Sequence, residues 1–226
     1  MRNATSTAAV LGAVLLLLPG TSQAQKGAAP ATTPPAAAPP AARSPAAEVG
    51  ALPPQIAGLR RQEPVTDYEA RPNGRGLGAS INYESPTGTP YVTIYLYNRN
   101  RSDLTTPGVG PAADAELATS RREIENASEN RGYRIGSVTR LPDIPGPGGA
   151  AAFRCDAYTF EYAEEQTTAD SFACVGVAQG RFVKVRLSHR ARANTVAARP
   201  LPMDVMRSIA ELTGFGAGRP AVGGKS

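Results

Sequence analysis

A hairpin folded about Glu164-Glu165 brings Cys155 and Cys174, the two cysteines of the chain, directly opposite one another. Strands present successive side chains to opposite faces, so the register that pairs the sulfurs also decides which residues share a face. A second turn at Gln179-Gly180 lays Arg181–Ser188 beside the middle strand. One face of this three-strand meander then collects Phe153, Cys155, Ala157, Phe172, Cys174, Val183, Val185 and Leu187, a coherent core face. The other carries Arg154, Asp156, Tyr158, Phe160, Tyr162, Val175, Phe182, Lys184 and Arg186, a mixed surface suited to partial cover by a helix. In the loop-entropy picture a Cys155–Cys174 disulfide contributes on the order of 3 kcal/mol, large beside the ~5–15 kcal/mol stability of a typical domain.

Whether those cysteines are oxidised depends on the compartment, and the N-terminus speaks to that. Arg2 leads into an apolar run, Ala8–Leu18, and then into Ser22-Gln23-Ala24, the pattern of an export signal cut before Gln25. The run is about eleven residues where a spanning helix needs about twenty, so residues 1–24 are read as a signal peptide and no transmembrane segment is expected after cleavage. Scarce Lys beside abundant Ala, Arg, Gly and Pro matches a GC-rich bacterial genome, and the expected address is the periplasm or the medium. Oxidising export makes the disulfide the default.

Residues 25–54 are dominated by Ala and Pro, which cannot bury enough apolar surface to offset ordering entropy; a disordered, extended leader is expected. It is either a tether or a solubilising spacer. Residues 55–216 have the length of one domain, and 217–226 form a Gly-rich tail. The first ordered element expected is a hairpin, Leu77–Glu84 with Tyr91–Asn98, in which Val92, Ile94 and Leu96 point to the core. Tyr91, Thr93, Tyr95 and Tyr97 point the other way, either as a stacking platform or as a face covered by a helix.

A helix is expected from Pro111 to about Arg131, with Ala113, Leu117, Ile124 and Ala127 as its apolar stripe and Arg121, Arg122, Glu123, Glu125 and Glu129 as a solvated face. A short strand Arg134–Leu141 and a Pro/Gly loop precede the meander. A last helix, Pro202–Thr213, presents Val205, Met206, Ile209 and Leu212. The fold class is α+β: a single antiparallel sheet packed against two main helices, preceded by a disordered Ala/Pro-rich tail.

This succession, strand-strand-helix-strand, meander, closing helix, resembles the PsbP-like group of small exported α+β domains, which includes DcrB and LpqN relatives. The resemblance spans Gln55–Gly216 as an order of elements. It implies helices on a twisted antiparallel sheet and a non-catalytic envelope or accessory module that binds and does not turn over substrate.

Chemistry-bearing residues are sparse. His189, the single histidine, follows Ser188, and neighbours on a strand point apart, so neither activates the other. Gly74-Arg75-Gly76-Leu77-Gly78 lacks the following helix that a phosphate loop needs and reads as a turn. Glu164-Glu165 are turn neighbours, not carboxylates across a cleft. Paired cysteines and one histidine leave no soft-ligand set, so no metal or cofactor is called for.

The distinctive charge feature, in a chain of net charge +5, is an acid-free stretch with Arg181, Lys184, Arg186, Arg190, Arg192 and Arg199. Arg181, Lys184, Arg186, Arg190 and Arg192 are a candidate anion-binding patch for an anionic cell-envelope component, such as a lipid headgroup or polysaccharide. The competing account is internal neutralisation, with Asp156 near Arg186 and Asp170 near His189–Arg192. Nucleic acid is disfavoured by export and by the lack of a recognition motif. The reading taken is an exported non-catalytic binding or accessory protein, whose partner is an envelope component or another envelope protein. An enzyme assembled across distant segments, for instance from Tyr158, Asp156 and Arg186, and a structural spacer protein are the alternatives.

Overall fold

The computed structural model describes residues 43–130 and 132–215. The expected signal peptide, most of the Ala/Pro-rich leader and the C-terminal tail lie outside the described residues. Helix α1 spans Pro45–Gly50, followed by strands β1 (Gln55–Ile56), β2 (Leu59–Asp67), β3 (Ala79–Glu84) and β4 (Tyr91–Tyr97). Helix α2 (Pro111–Glu129) leads into β5 (Arg134–Arg140) and the two-residue β6 (Ile144–Pro145). The meander is β7 (Ala151–Tyr162), β8 (Thr167–Ala178) and β9 (Arg181–Ser188), then β10 (Arg192–Ala193) and helix α3 (Met203–Leu212).

The strands form one antiparallel sheet in the order β1-β2-β3-β4-β9-β8-β7-β5, with β10 beside β8 and β6 beside β7. The meander has the expected register: Cys155 faces Cys174, Tyr162 faces Thr167 and Ala178 faces Arg181. The two sulfurs are bonded, with Cα atoms 4.1 Å apart.

Both faces of the sheet are covered, which explains why so many strand positions are buried on each side. One core joins Phe153, Cys155, Phe172, Cys174, Val183, Val185 and Leu187 to Val92, Ile94, α1 and α3. The opposite core places α2 over Tyr158, Phe160, Val175 and Phe182 through Ala113, Leu117 and Ile124. Tyr97 is part of that second core, so the tyrosine side of β4 is covered by helix α2 at this end.

Three expectations need correction. Ordered structure begins before the hairpin: within residues 43–54, assigned to the disordered leader, Pro45–Gly50 is helical. Ser44 caps it by accepting from the Ala47 N–H at 3.2 Å, Pro45 suits its first turn, and Val49 and Leu52 are buried against the sheet. Strand β2 also precedes that hairpin; it is an outer strand with polar residues and Pro64, bulged between Gln62 and Thr66, so the sequence carries no clear period-2 signal for it. In α3 Ala210, not Leu212, completes the buried stripe with Val205, Met206 and Ile209; Leu212 is exposed.

Candidate functional site

The five cations of the expected patch do not form one surface, because alternation along β9 sends neighbours to opposite faces of a sheet covered on both sides. Arg181 pairs with Glu48 of α1 at 2.7 Å and donates to the Arg43 carbonyl. Lys184 lies on the α2 face, 3.3 Å from Glu123 and over the rings of Tyr95 and Tyr97. Arg190 is exposed against Gly88 in the β3–β4 turn. Arg192 is held by both oxygens of Asp170 at 2.9 Å. Of the five, Arg186 and the exposed Arg190 have no carboxylate partner among the described residues.

On the α2 face, the charges of the helix reach down to the sheet and are not simply solvated. Buried Glu116 accepts from Tyr97 Oη at 2.7 Å and from Arg99 Nε and Nη2 at 2.7 and 2.8 Å; Arg99 also bonds Glu123. Fully buried Asp156 accepts from Arg121 and Arg140, each at 2.7 Å. It does not meet Arg186, since Ala173 of β8 stands between them in the sheet. Arg154 is shared by Asp114 and Asp143. Burial, then the neighbouring Glu116 carboxylate, pushes the Tyr97 phenol far up and keeps it neutral. Glu116 interrupts the helix's apolar stripe, and that was the signal available for it in the sequence; its partner Arg99, in a loop, carried none.

Beyond the core of the opposite face, a groove of about 560 Å³ runs between β5, β7 and the segment Ala198–Met203. Leu141, Ile144, Ala157, Phe172 and Leu201 make it apolar, while Ser137, Thr139 and Thr159 contribute hydroxyl-bearing residues. Asp170 is in its lining, with its carboxylate occupied by Arg192 and by the Arg199 N–H at 2.8 Å. Burial raises the Asp170 pKa, but these hydrogen bonds overcome it and the carboxyl titrates below its ordinary range. The Arg199 guanidinium has only a long contact, 3.5 Å, to the Arg190 carbonyl among the described residues.

His189 is engaged on both ring nitrogens. Nε2 donates to the Pro200 carbonyl at 3.3 Å and Nδ1 lies 3.5 Å from Thr89 Oγ1. Burial lowers its pKa. Ser188 turns instead to Ser171, Oγ to Oγ at 2.9 Å. The glycine run enters β3 as a turn: a Cβ on Gly78 would fall 1.8 Å from the Leu96 carbonyl oxygen, and φ there is +66°. Among the described residues no group of three or more His, Cys, Asp or Glu could hold a metal ion, and no helix is long and apolar enough to cross a membrane. Comparison with protein-family models and with curated proteins gives no match.

Proposed function

We propose that this chain is an exported, non-catalytic binding domain of the cell envelope, and that its groove receives a single-chain anionic amphiphile. The tail lies along Leu141, Ile144, Phe172 and Leu201, and the acidic head sits beside Arg199. One observation carries this reading: a largely apolar groove has in its lining Arg199, whose guanidinium has no carboxylate partner among the described residues, while Asp170, also in the lining, is already paired with Arg192. Apolar walls with few polar groups favour holding a molecule over transforming it, and the resemblance to PsbP-like accessory modules supports the same class. The disulfide is compatible with an oxidising, exported setting.

Displacement of a fluorescent fatty acid tests the proposal. Thr139→Trp, at an exposed position on the groove wall, should weaken binding about tenfold or more, and Arg199→Ala should weaken an acidic probe but not its alcohol analogue. Absence of binding by the unaltered protein, or equal affinity in both variants, would reject it.

A further inference from the structure

The edge strand of a sheet presents a row of backbone N–H and C=O groups without partners, and proteins blunt such rows with proline, lysine, bulges or a covering element. The two ends of this sheet differ in that respect. At one end β2 has Pro64, a bulge between Gln62 and Thr66, and the short β1 beside it. At the other end β5 pairs with β7 on one side and with no strand among the described residues on the other. Its seven residues contain neither proline nor lysine, and Gly136–Arg140 are all exposed. Val138, an apolar residue in the middle of that stretch, is 38% exposed. The charges of the strand stand at its two ends, where Arg134 and Arg140 are each held 2.7 Å from a carboxylate of β7, Glu161 and Asp156.

The pairing with β7 fixes which backbone groups are free. Leu141, directly after β5, donates its N–H to the Cys155 carbonyl at 3.0 Å. Inward and outward positions alternate along an antiparallel strand, so Thr139 and Ser137 also turn their N–H and C=O toward β7. Val138 and Arg140 therefore turn theirs outward. Side chains alternate as well: Val138 and Arg140 stand opposite Tyr158 and Asp156 on the α2 side, while Ser137 and Thr139 stand on the groove side.

We infer that the free edge of β5 pairs antiparallel with β5 of a second copy of this chain, about a two-fold axis at Val138, so that two sheets become one. A two-fold axis makes the contact self-complementary, and each residue must suit its own image. With the axis at Val138, the outward N–H and C=O of each Val138 bond those of its twin, and the two exposed side chains cover one another. Ser137 then faces Thr139 of the second copy, hydroxyl beside hydroxyl, and Arg140 faces Gly136, which has no side chain. No like charges stand opposite. An axis at Ser137 sets Arg140 against Arg134 of the second copy at both ends, a repulsive pairing. An axis at Thr139 leaves only Val138–Arg140 overlapping within the strand and puts Arg140 against Val138. An axis between two residues opposes outward groups to inward ones and makes no ladder. A second copy suits this edge better than an acidic peptide does, because both arginines already have carboxylates and the centre, Gly136–Thr139, is uncharged.

The contact is small beside a standard interface, so the expected association is reversible, with a dissociation constant of about 100 μM. Sedimentation of the full chain from about 10 to about 500 μM should show a monomer–dimer equilibrium in that range. Amide hydrogen exchange locates the contact: the Val138 and Arg140 amides should slow as concentration rises, whereas those of Ser137 and Thr139, already bonded to β7, should not change. Val138→Lys places like charges on the axis and Val138→Pro removes the outward N–H; each should weaken association about tenfold or more. A chain that stays monomeric at the highest concentration, a dimer whose Val138 amide exchanges as in the monomer, or a Val138→Lys chain that associates as tightly would each overturn the inference. Protection of Val138 that does not vary with concentration would place another part of the same chain on the edge and overturn it too. The inference does not rest on the groove: fatty-acid displacement at low micromolar concentration reads the monomer, so failure of either leaves the other standing.

Discussion

Tyr97 at the end of β4 donates a 2.7 Å hydrogen bond to Glu116 of α2, and the two side chains are both buried. The same carboxylate is gripped by Arg99 through two further bonds, so a charge inside the α2 core is satisfied by one neutral and one cationic partner. This arrangement ties the helix to the sheet more specifically than the modest apolar stripe of α2 could alone. Arg99→Ala leaves the buried carboxylate with only the phenol, and the expected loss is about 2 kcal/mol, below that of a fully buried pair because Arg99 is partly exposed. Tyr97→Phe should cost about 1 kcal/mol. Urea unfolding of the two single variants and the double variant measures both terms; a loss within error for Arg99→Ala would show that the helix is held by apolar contacts only.

The Cys155–Cys174 bond crosses neighbouring strands at a sequence separation of 19. Reduction, or replacement of both residues by Ala, is expected to lower stability by about 3 kcal/mol, with a lower urea midpoint and a native sheet, because the turn and the two cores keep the same register. Alkylation of the purified protein in denaturant without reductant should label neither sulfur. Stoichiometric labelling would show that the cysteines face each other reduced.

The meander was legible because three signals coincide there: period-2 alternation, two turns at the right spacing, and a cysteine pair that only one register satisfies. Each depends on residues close in sequence. The ion pairs of the α2 face do not. Glu116 meets Arg99 through a loop, and Asp156 meets Arg121 from a helix thirty-five residues away, so their partnering follows from how α2 lies on the sheet. Alternation correctly set Asp156 and Arg186 on one face, but distance across the sheet and competition from Arg121 and Arg140 decide the partner. The groove had no sequence signature, since β5 and Ala198–Met203 meet only in the folded chain.

Helix α1 belongs to the domain and not to a leader. Val49 is fully buried, Tyr83 Oη donates to the Pro53 carbonyl at 2.8 Å, and Arg61 donates to the carbonyls of Gly50 and Leu52. A chain beginning at residue 43 should therefore unfold like the full-length protein, whereas one beginning at residue 55 exposes Tyr83 and Ile81 and should lose several kcal/mol. Val49→Ala alone should cost about 1–2 kcal/mol. Equal unfolding midpoints for the two truncated chains would return residues 43–54 to the leader.

Acid should act through Asp170. Burial raises its pKa, the Arg192 guanidinium and the Arg199 N–H together lower it by more, and the net direction is down. A carboxyl whose folded pKa lies below its unfolded value of 3.8 contributes stability that is fully present above the unfolded pKa and is lost as pH falls through the folded one. The charged groups facing it are Arg192 and, more weakly, His189, whose own pKa is lowered by burial. Asp170→Asn lacks this titration and leaves Arg192 unpaired, so at about pH 6 it should be less stable by roughly 2 kcal/mol. The gap should narrow as pH falls below the unfolded value and the carboxyl of the unaltered chain is protonated in turn. Urea unfolding of the two proteins across that range reads the gap directly. A gap that stays constant into strong acid would mean that the Asp170–Arg192 pair contributes through shape and not through charge.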